Sequence, residues 1–338
     1  MNYSRFLIKD DFELYGVQPG KVHPLNYLQI ELTDRCNLRC INCLRADTLS
    51  SGMILSLEAF LGLIDQVPSV QHISFVGSGE ALLVENFPEY ISHCTERGIY
   101  SSSNTNGILV EKRLMPVIEA GLGKIALSVD AGETGLLSQI RPGIDLSTLE
   151  RSMRCTVEMT QGTSTEVSAA VTLSSFNIDQ FSDTIRFINS TGIKDITVES
   201  LHHWGVDKSL NRFSLFHIAP ERVFGKIEEG LEIAMGYGLK LRIFDYYKLL
   251  QKNSTPHHCS WPWDSMMITS SGDVTPCCVN LESSEFNRMG NILCESVESI
   301  WSGCRYNDLR KSFYNNKLWQ ICVDCVYMKQ FGKTAELT

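Results

Sequence analysis

Cys36, Cys40 and Cys43 stand in the spacing C-x3-C-x2-C. Three thiolates on one tight loop can hold three corners of a cubane iron–sulfur cluster, because soft sulfur suits iron and the spacing keeps the ligands within one cluster's width. The fourth iron then has no protein ligand. At such an open corner a cluster can act on a small molecule instead of only passing electrons. The competing assignments are three core cysteines or a zinc site. A structural zinc site wants four ligands, and no further Cys or His lies close by in the sequence.

A second set of thiols, Cys259, Cys277, Cys322 and Cys325, lies near the end of the chain. Cys322-Val323-Asp324-Cys325 is a chelating pair, and the run from Gly272 to Cys277 delivers a third sulfur from a predicted hairpin. Four thiolates bind either zinc or a fully ligated [4Fe–4S] cluster, and spacing does not separate the two. Cys278, beside a ligand, is an alternative ligand, a bystander, or a thiol able to give a hydrogen atom to a substrate radical. Cys94 and Cys155 fall in predicted helices and read as small buried hydrophobes. Cys294 and Cys304 read as structural.

The elements that must position these groups alternate. An apolar run, Tyr27 to Thr33, predicts a strand ending at the cysteine loop. Ser56 can cap a helix whose apolar residues, Leu57, Phe60, Leu61, Ile64 and Val67, recur with helical period. Further strands are predicted over 71–76, 99–104, 124–130, 166–173 and 195–200, with helical segments between them and another helix opening at Pro220. Six strands, each followed by a helix, predict a partial (β/α)6 barrel. Reactive groups in such folds gather at strand C-termini. The cysteine loop, Gly77-Ser78-Gly79-Glu80, Asn106-Gly107, Asp130 and Glu199 all fall at predicted strand ends.

Glycines let the backbone approach a ligand, and a carboxylate at Glu80 can receive an ammonium group, although a Gly-rich turn alone is a weak signal. Glu199, His202 and His203 follow the last strand, where any of them can take a proton from a substrate hydroxyl. From about Thr255 the composition turns rich in Cys, Trp, Ser, Asn and Gly, with short strands at Ser265 to Ile268 and around Val274. The division expected is an N-terminal extension over 1–24, the barrel over 25–250 and a small second domain over 255–330.

The chain has 338 residues, 43% hydrophobic and 20% charged, enough to bury a sizeable core. Its net charge of −9 argues against a nucleic-acid binder, which would show a basic face. No run approaches the roughly 18 apolar residues of a membrane span, and the first residues lack a signal-peptide core. A cytoplasmic location is expected. Twelve cysteines in a long intracellular chain then point to metal binding or chemistry rather than disulfides.

The segment from Cys36 to Cys43 closely resembles the cluster loop of the radical S-adenosylmethionine (radical SAM) enzymes. One position departs from that family: the residue before the last cysteine is usually aromatic, and here it is Asn42, which bears on adenine packing and not on the cluster. Gly77-Ser78-Gly79-Glu80 resembles the motif that binds the methionyl amino group. Ser128, and Arg141 in Ile140-Arg141-Pro142-Gly143, resemble positions that hold the SAM carboxylate, a task suited to the planar guanidinium; without the resemblance, Arg141 reads equally as a solvated surface charge. Cys259 to Cys325, with Trp261-Pro262-Trp263, Gly290-Asn291-Ile292 and Ile300-Trp301 between, resembles the SPASM auxiliary-cluster domain or its short form, twitch. No cysteine follows Cys325, so one auxiliary cluster is expected.

The resemblance implies two [4Fe–4S] clusters and S-adenosylmethionine as cofactors. It implies one-electron cleavage of SAM to methionine and a 5′-deoxyadenosyl radical, which takes a hydrogen atom from an unactivated C–H bond. A fully ligated auxiliary cluster has electron transfer as its simplest role. Only about two dozen residues precede the first strand, which leaves no room there for a leader-peptide-binding domain and favours a small-molecule substrate. The expected reaction is dehydrogenation or epimerisation at a hydroxyl-bearing carbon of a sugar, cyclitol or similar metabolite, with an electron donor such as flavodoxin or ferredoxin as partner. The alternative is a peptide-modifying enzyme acting at an amino-acid carbon.

Overall fold

The computed structural model describes residues 22, 24–43, 51–201, 209–243, 259–279, 281, 283–315, 317–323 and 325. The barrel runs β1 (Tyr27–Ile30), α1 (Leu57–Asp65), β2 (His72–Phe75), α2 (Phe87–Glu96), β3 (Tyr100–Thr105), α3 (Val110–Glu119) and β4 (Lys124–Ser128). It continues through α4 (Thr134–Ile140), α5 (Leu146–Thr160), β5 (Glu166–Leu173), α6 (Phe181–Ser190), β6 (Asp195–Ser200), α7 (Pro220–Gly236) and β7 (Lys240–Ile243). The C-terminal segment adds α8 (Trp261–Asp264), β8 (Ser265–Ile268), β9 (Asp273–Thr275), β10 (Gly290–Asn291), α9 (Val297–Trp301), α10 (Cys304–Tyr314) and α11 (Gln320–Val323).

Local chemistry starts the helices where the sequence places them. Ser56 accepts the Ala59 N–H at 3.1 Å, and Asp145 accepts that of Thr148 at 2.7 Å, each satisfying a donor that the first helical turn leaves over. Pro220 opens α7, where its missing N–H costs nothing.

The strands form one sheet in the order β10-β9-β8-β1-β2-β3-β4-β5-β6-β7. All six expected strands are present, side by side and parallel. The sheet goes on at both edges. β7 pairs in parallel with β6, and β8 pairs in parallel with β1, Tyr27 opposite Ser265 and Ile30 opposite Ile268. The C-terminal segment therefore does not form a separate core, as the composition change suggested. Its Met266, Val274, Met289, Ile300, Trp301, Tyr306 and Leu309 belong to one apolar cluster with the barrel interior. Strands of two to four residues carry too little apolar area to stand alone. Of the cysteines expected to be structural there, Cys294 and Cys304 are exposed.

Side-chain alternation along the strands sorts two sets of residues. Ile73 and Phe75, Ile125 and Leu127, Ile196 and Val198 are fully buried in the apolar cluster. The intervening positions, Gln29, Ser74, Asn104, Ser128, Thr172 and Thr197, line a cavity. On β3, Tyr-Ser-Ser-Ser-Asn-Thr, the cavity accounts for Asn104, while Ser101, Ser103 and Thr105 are buried on the opposite face, where Ser103 Oγ donates to the Phe75 carbonyl and Thr105 Oγ1 to Glu80, each at 2.9 Å.

Candidate active site

The cavity has a volume of about 380 Å³, and its lining includes Cys40, Cys43, Gly77, Ser78, Ser128 and Arg141. Glu199 and Cys278 line the same space. Strand ends from β1, β2, β4 and β6 thus bring together groups that are far apart in sequence, and the hairpin after β9 adds Cys278. His202, with His203, lies outside the described residues.

The cysteine loop is shaped by its neighbours. The Ile41 N–H donates to the Ile140 carbonyl at 3.0 Å, and the Glu80 N–H donates to that of Arg35 at 2.7 Å. The Asn106 amide donates to Asn37 Oδ1 at 2.7 Å and to Cys36 Sγ at 3.7 Å. Gly79 is needed for this contact. A Cβ there would stand 2.0 Å from the Thr33 carbonyl oxygen and 2.6 Å from that of Arg35.

Burial pushes the Cys40 thiol up to about 11, against the pull of Arg141 and reinforced by Cys43, Asp130 and Cys36. A thiol so reluctant to ionise becomes a thiolate only against a cation, which fits iron. Among the described residues no three His, Cys, Asp or Glu side chains converge closely enough for a single metal ion.

Glu80 does not do what its place in the motif suggested. It is 3% exposed and lies outside the cavity lining. Its carboxylate accepts from the Asn106 N–H at 2.8 Å, the Thr105 hydroxyl at 2.9 Å and the Leu82 N–H at 3.3 Å. These donors commit it to tying the glycine loop to the end of β3, and burial raises its pKa. Gly79 likewise faces the cysteine loop. Gly77 and Ser78 are the part of the motif that borders the cavity.

Arg141 is no solvated surface charge. Its Nε donates to Asp130 Oδ2 at 2.7 Å, and both residues are buried. Asp130 Oδ1 accepts the Thr172 N–H at 3.0 Å, and Oδ2 also accepts from the Asn42 amide at 3.4 Å. Asn42, at the unusual position of the loop, therefore joins the acid that holds Arg141. Two residues were missed as contributors. Asp130 was visible as a strand end without a partner; Glu31, buried just after β1, carried no signal in the sequence.

Of the C-terminal thiols, Cys277 and Cys325 lie within electrostatic reach of Cys322. Cys259, Cys277, Cys322 and Cys325 are half-buried. Burial pushes the Cys322 thiol far above its ordinary value, with Cys277 and Cys325 adding to the effect. The Cys325 N–H donates to the Cys322 carbonyl at 3.3 Å, closing the tight turn of the pair. In the same segment, Ser260 Oγ, Trp263 Nε1, Tyr306 Oη and Arg310 Nη2 are buried with no hydrogen-bond partner; Ser260 adjoins Cys259 in sequence, and Tyr306 lies within electrostatic reach of Cys277. Buried donors nearly always find acceptors, and the thiolates and sulfides of an iron–sulfur cluster are acceptors of the kind that would serve them.

The sequence model of the radical SAM superfamily matches residues 30–188, and that of the SPASM iron–sulfur cluster-binding domain matches 259–326. The chain is a radical SAM enzyme with a C-terminal SPASM domain. Domains of these two kinds bring S-adenosylmethionine and [4Fe–4S] clusters as cofactors. Among curated relatives it is 24% identical over 333 residues to a tungsten-containing aldehyde ferredoxin oxidoreductase cofactor-modifying protein of Pyrococcus furiosus, covering 89% of this chain and 87% of that one. It is 26% identical over 266 residues to a probable GTP 3',8-cyclase of Methanosarcina acetivorans, covering 74% and 76%. The crystal structure of Streptococcus suis SuiB bound to S-adenosylmethionine superposes with a TM-score of 0.68 at 14% identity, over 94% of this chain and 73% of that one. The anSMEcpe structure with bound AdoMet gives 0.66 at 19%, over 90% and 84%. These likenesses establish the radical SAM fold. No described helix is long and apolar enough to cross a membrane.

Proposed function

We propose that this radical SAM enzyme removes a hydrogen atom from a hydroxyl-bearing carbon of an uncharged sugar, cyclitol or similar metabolite, and so acts as a dehydrogenase or an epimerase. The observation that carries the reading is the placing of Glu199 and Cys278 in the same cavity as Ser78, Ser128 and Arg141. When bound, SAM supplies the oxidant for an unactivated C–H bond, and an auxiliary cluster supplies a sink for one electron.

In this reading Cys36, Cys40 and Cys43 hold the SAM-binding cluster, while Cys259, Cys277, Cys322 and Cys325 hold the auxiliary one. Gly77 and Ser78 border the methionyl end of SAM. Asp130 fixes Arg141 through Nε alone, which keeps the terminal guanidinium nitrogens for the SAM carboxylate. Ser128 adds a hydroxyl beside it. Glu199 takes the substrate hydroxyl proton if a carbonyl forms. Cys278 returns a hydrogen atom to carbon if the configuration inverts. Thr172 and Thr197 offer hydroxyls to a hydroxylated substrate, and the walls hold it near the reacting centre and away from bulk water.

Charge narrows the substrate. Arg141 is the cationic side chain of the described lining, and it is already paired with Asp130. A nucleoside triphosphate of charge about −4 would need several more cations to balance it. The described lining therefore favours an uncharged substrate over a nucleoside triphosphate.

The test uses the reconstituted, oxygen-free protein with SAM, reduced by a flavodoxin or ferredoxin, against a panel of neutral polyols, amino sugars and short peptides. Substrate-dependent release of 5′-deoxyadenosine with a polyol supports the proposal. A product lighter by two mass units marks dehydrogenation and requires Glu199; one carrying solvent deuterium marks epimerisation and requires Cys278. Turnover with peptides alone replaces this reading with peptide modification.

A further inference from the structure

Glu31 follows the last residue of β1 and is 5% exposed. Its carboxylate holds two segments that are distant in sequence. Oε2 accepts the Ser78 N–H at 2.8 Å and the Ser78 hydroxyl at 2.6 Å. Oε1 accepts the Ser270 N–H at 3.2 Å and the Ser270 hydroxyl at 2.9 Å. The Glu31 N–H donates to the Ile268 carbonyl at 2.8 Å. Gly77 packs on the acid's stem so closely that a Cβ there would lie 2.4 Å from Glu31 Cβ.

Ser78 lines the cavity. Ser270 does not; it is buried in the turn between β8 and β9. The hairpin that begins at this turn runs on to Cys277 and Cys278. One side chain therefore fastens the glycine loop on one hand and the SPASM hairpin on the other.

We infer that Glu31 is a positioning residue that couples the SPASM hairpin to the Gly77–Ser78 loop, so that the hairpin's seating sets how tightly SAM is held. The inference rests on the proposed reading of Gly77–Ser78 as part of the SAM site. The chemistry calls for a carboxylate. Each oxygen meets one backbone N–H and one hydroxyl, and only an ionised acid offers acceptors on both sides. A glutamine would turn its NH2 toward one of the two backbone N–H groups, and a backbone donor cannot rotate away. Either Ser78 or Ser270 must then let go.

The test measures SAM affinity by equilibrium dialysis on oxygen-free, reconstituted protein, together with iron content and thermal unfolding. Glu31→Gln is expected to weaken SAM binding about tenfold or more, the loss of hydrogen bonds to a charged group. Ser270→Ala is the decisive variant, since Ser270 stands outside the cavity. It is expected to weaken SAM binding several-fold at unchanged iron content, with the unfolding midpoint lowered only by the loss of one buried hydrogen bond. The Ser78→Ala and Ser270→Ala effects are expected to be non-additive, because both act through one carboxylate.

If Ser270→Ala binds SAM like the wild type, the coupling is overturned, whatever Glu31→Gln does to folding. Arg141→Met separates this outcome from failure of the SAM-site reading. If that variant binds SAM normally, or the wild type binds none, the site assignment itself falls.

Discussion

Around Cys36, Cys40 and Cys43 the buried side chains that shape the loop have their hydrogen bonds made within the protein. Glu31, Glu80, Asn106, Asp130 and Arg141 are all engaged. In the segment that carries Cys259, Cys277, Cys322 and Cys325, four buried donors, on Ser260, Trp263, Tyr306 and Arg310, are not. An unmade buried hydrogen bond costs about 1–3 kcal/mol. The first site is thus held in shape by the fold, and the second gains several kcal/mol from whatever supplies the missing acceptors. A loop that must present an open cluster corner to SAM benefits from rigidity. A fully ligated cluster can itself act as the staple of a segment with little core of its own.

The comparison breaks most severely at Gly79. Alanine there meets two backbone carbonyl oxygens, at 2.0 and 2.6 Å, and neither can move without shifting the cysteine loop. Gly79→Ala is expected to cost about 3 kcal/mol of stability. It is also expected to lower the iron of the reconstituted protein from about eight atoms to about four. Iron analysis and the EPR spectrum of the reduced protein check it. Retention of both clusters would show that the loop is not shaped by this contact.

The seam between the two regions offers a smaller and pH-dependent effect. His72 at the start of β2 stands edge-on between Tyr27 and Tyr100, at ring-centroid distances of 5.1 and 5.0 Å, and Tyr27 in turn meets Trp261 of the SPASM domain at 5.6 Å. Burial, with help from Lys124, lowers the His72 pKa from 6.5 to about 4. The folded protein therefore keeps this imidazole neutral, while the unfolded chain protonates it near 6.5. Its contribution is complete above that pH and is lost as pH falls toward about 4. Between pH 7 and 5 the loss is about 2 kcal/mol. His72→Phe removes this part of the acid sensitivity, read as the difference in urea midpoints between wild type and variant at the two pH values. Parallel pH profiles would place the acid sensitivity elsewhere.

These contacts show what the sequence could and could not disclose. Spacing singled out both thiol sets for attention, and the strand–helix alternation put Gly77, Asp130 and Glu199 at strand ends where the structure has them. Contacts between distant segments were invisible. Glu31 reaches Ser78 across 47 positions and Ser270 across 239, and no local pattern announces either. β8 went unrecognised as a neighbour of β1 for the same reason. β7, four residues with Lys240 and Arg242 among them, lacks the apolar run that marked the other strands. The motif at Gly77 to Glu80 gave the place of the carboxylate but not its direction, and the nearby donors of Thr105 and Asn106 decided that.

The least disruptive way to sharpen the contrast between the two sites is Tyr306→Phe, which deletes one oxygen and leaves the ring. Tyr306 is fully buried, lies within electrostatic reach of Cys277, and packs against Trp301 at 4.7 Å between ring centroids. If its hydroxyl finds its acceptor only on the auxiliary cluster, the substitution must change sign with the cluster's presence. In iron-free protein the phenylalanine variant is expected to be more stable than wild type by about 1 kcal/mol, because it relieves an unpaired polar group. In the reconstituted protein it is expected to be less stable by a similar amount. The reduction potential of the auxiliary cluster should fall at the same time, since a donor that favours the more negative oxidation state is gone. A substitution with the same effect in both forms would mean that the hydroxyl does not serve the cluster, and the orphaned donors of this segment would then need a different acceptor.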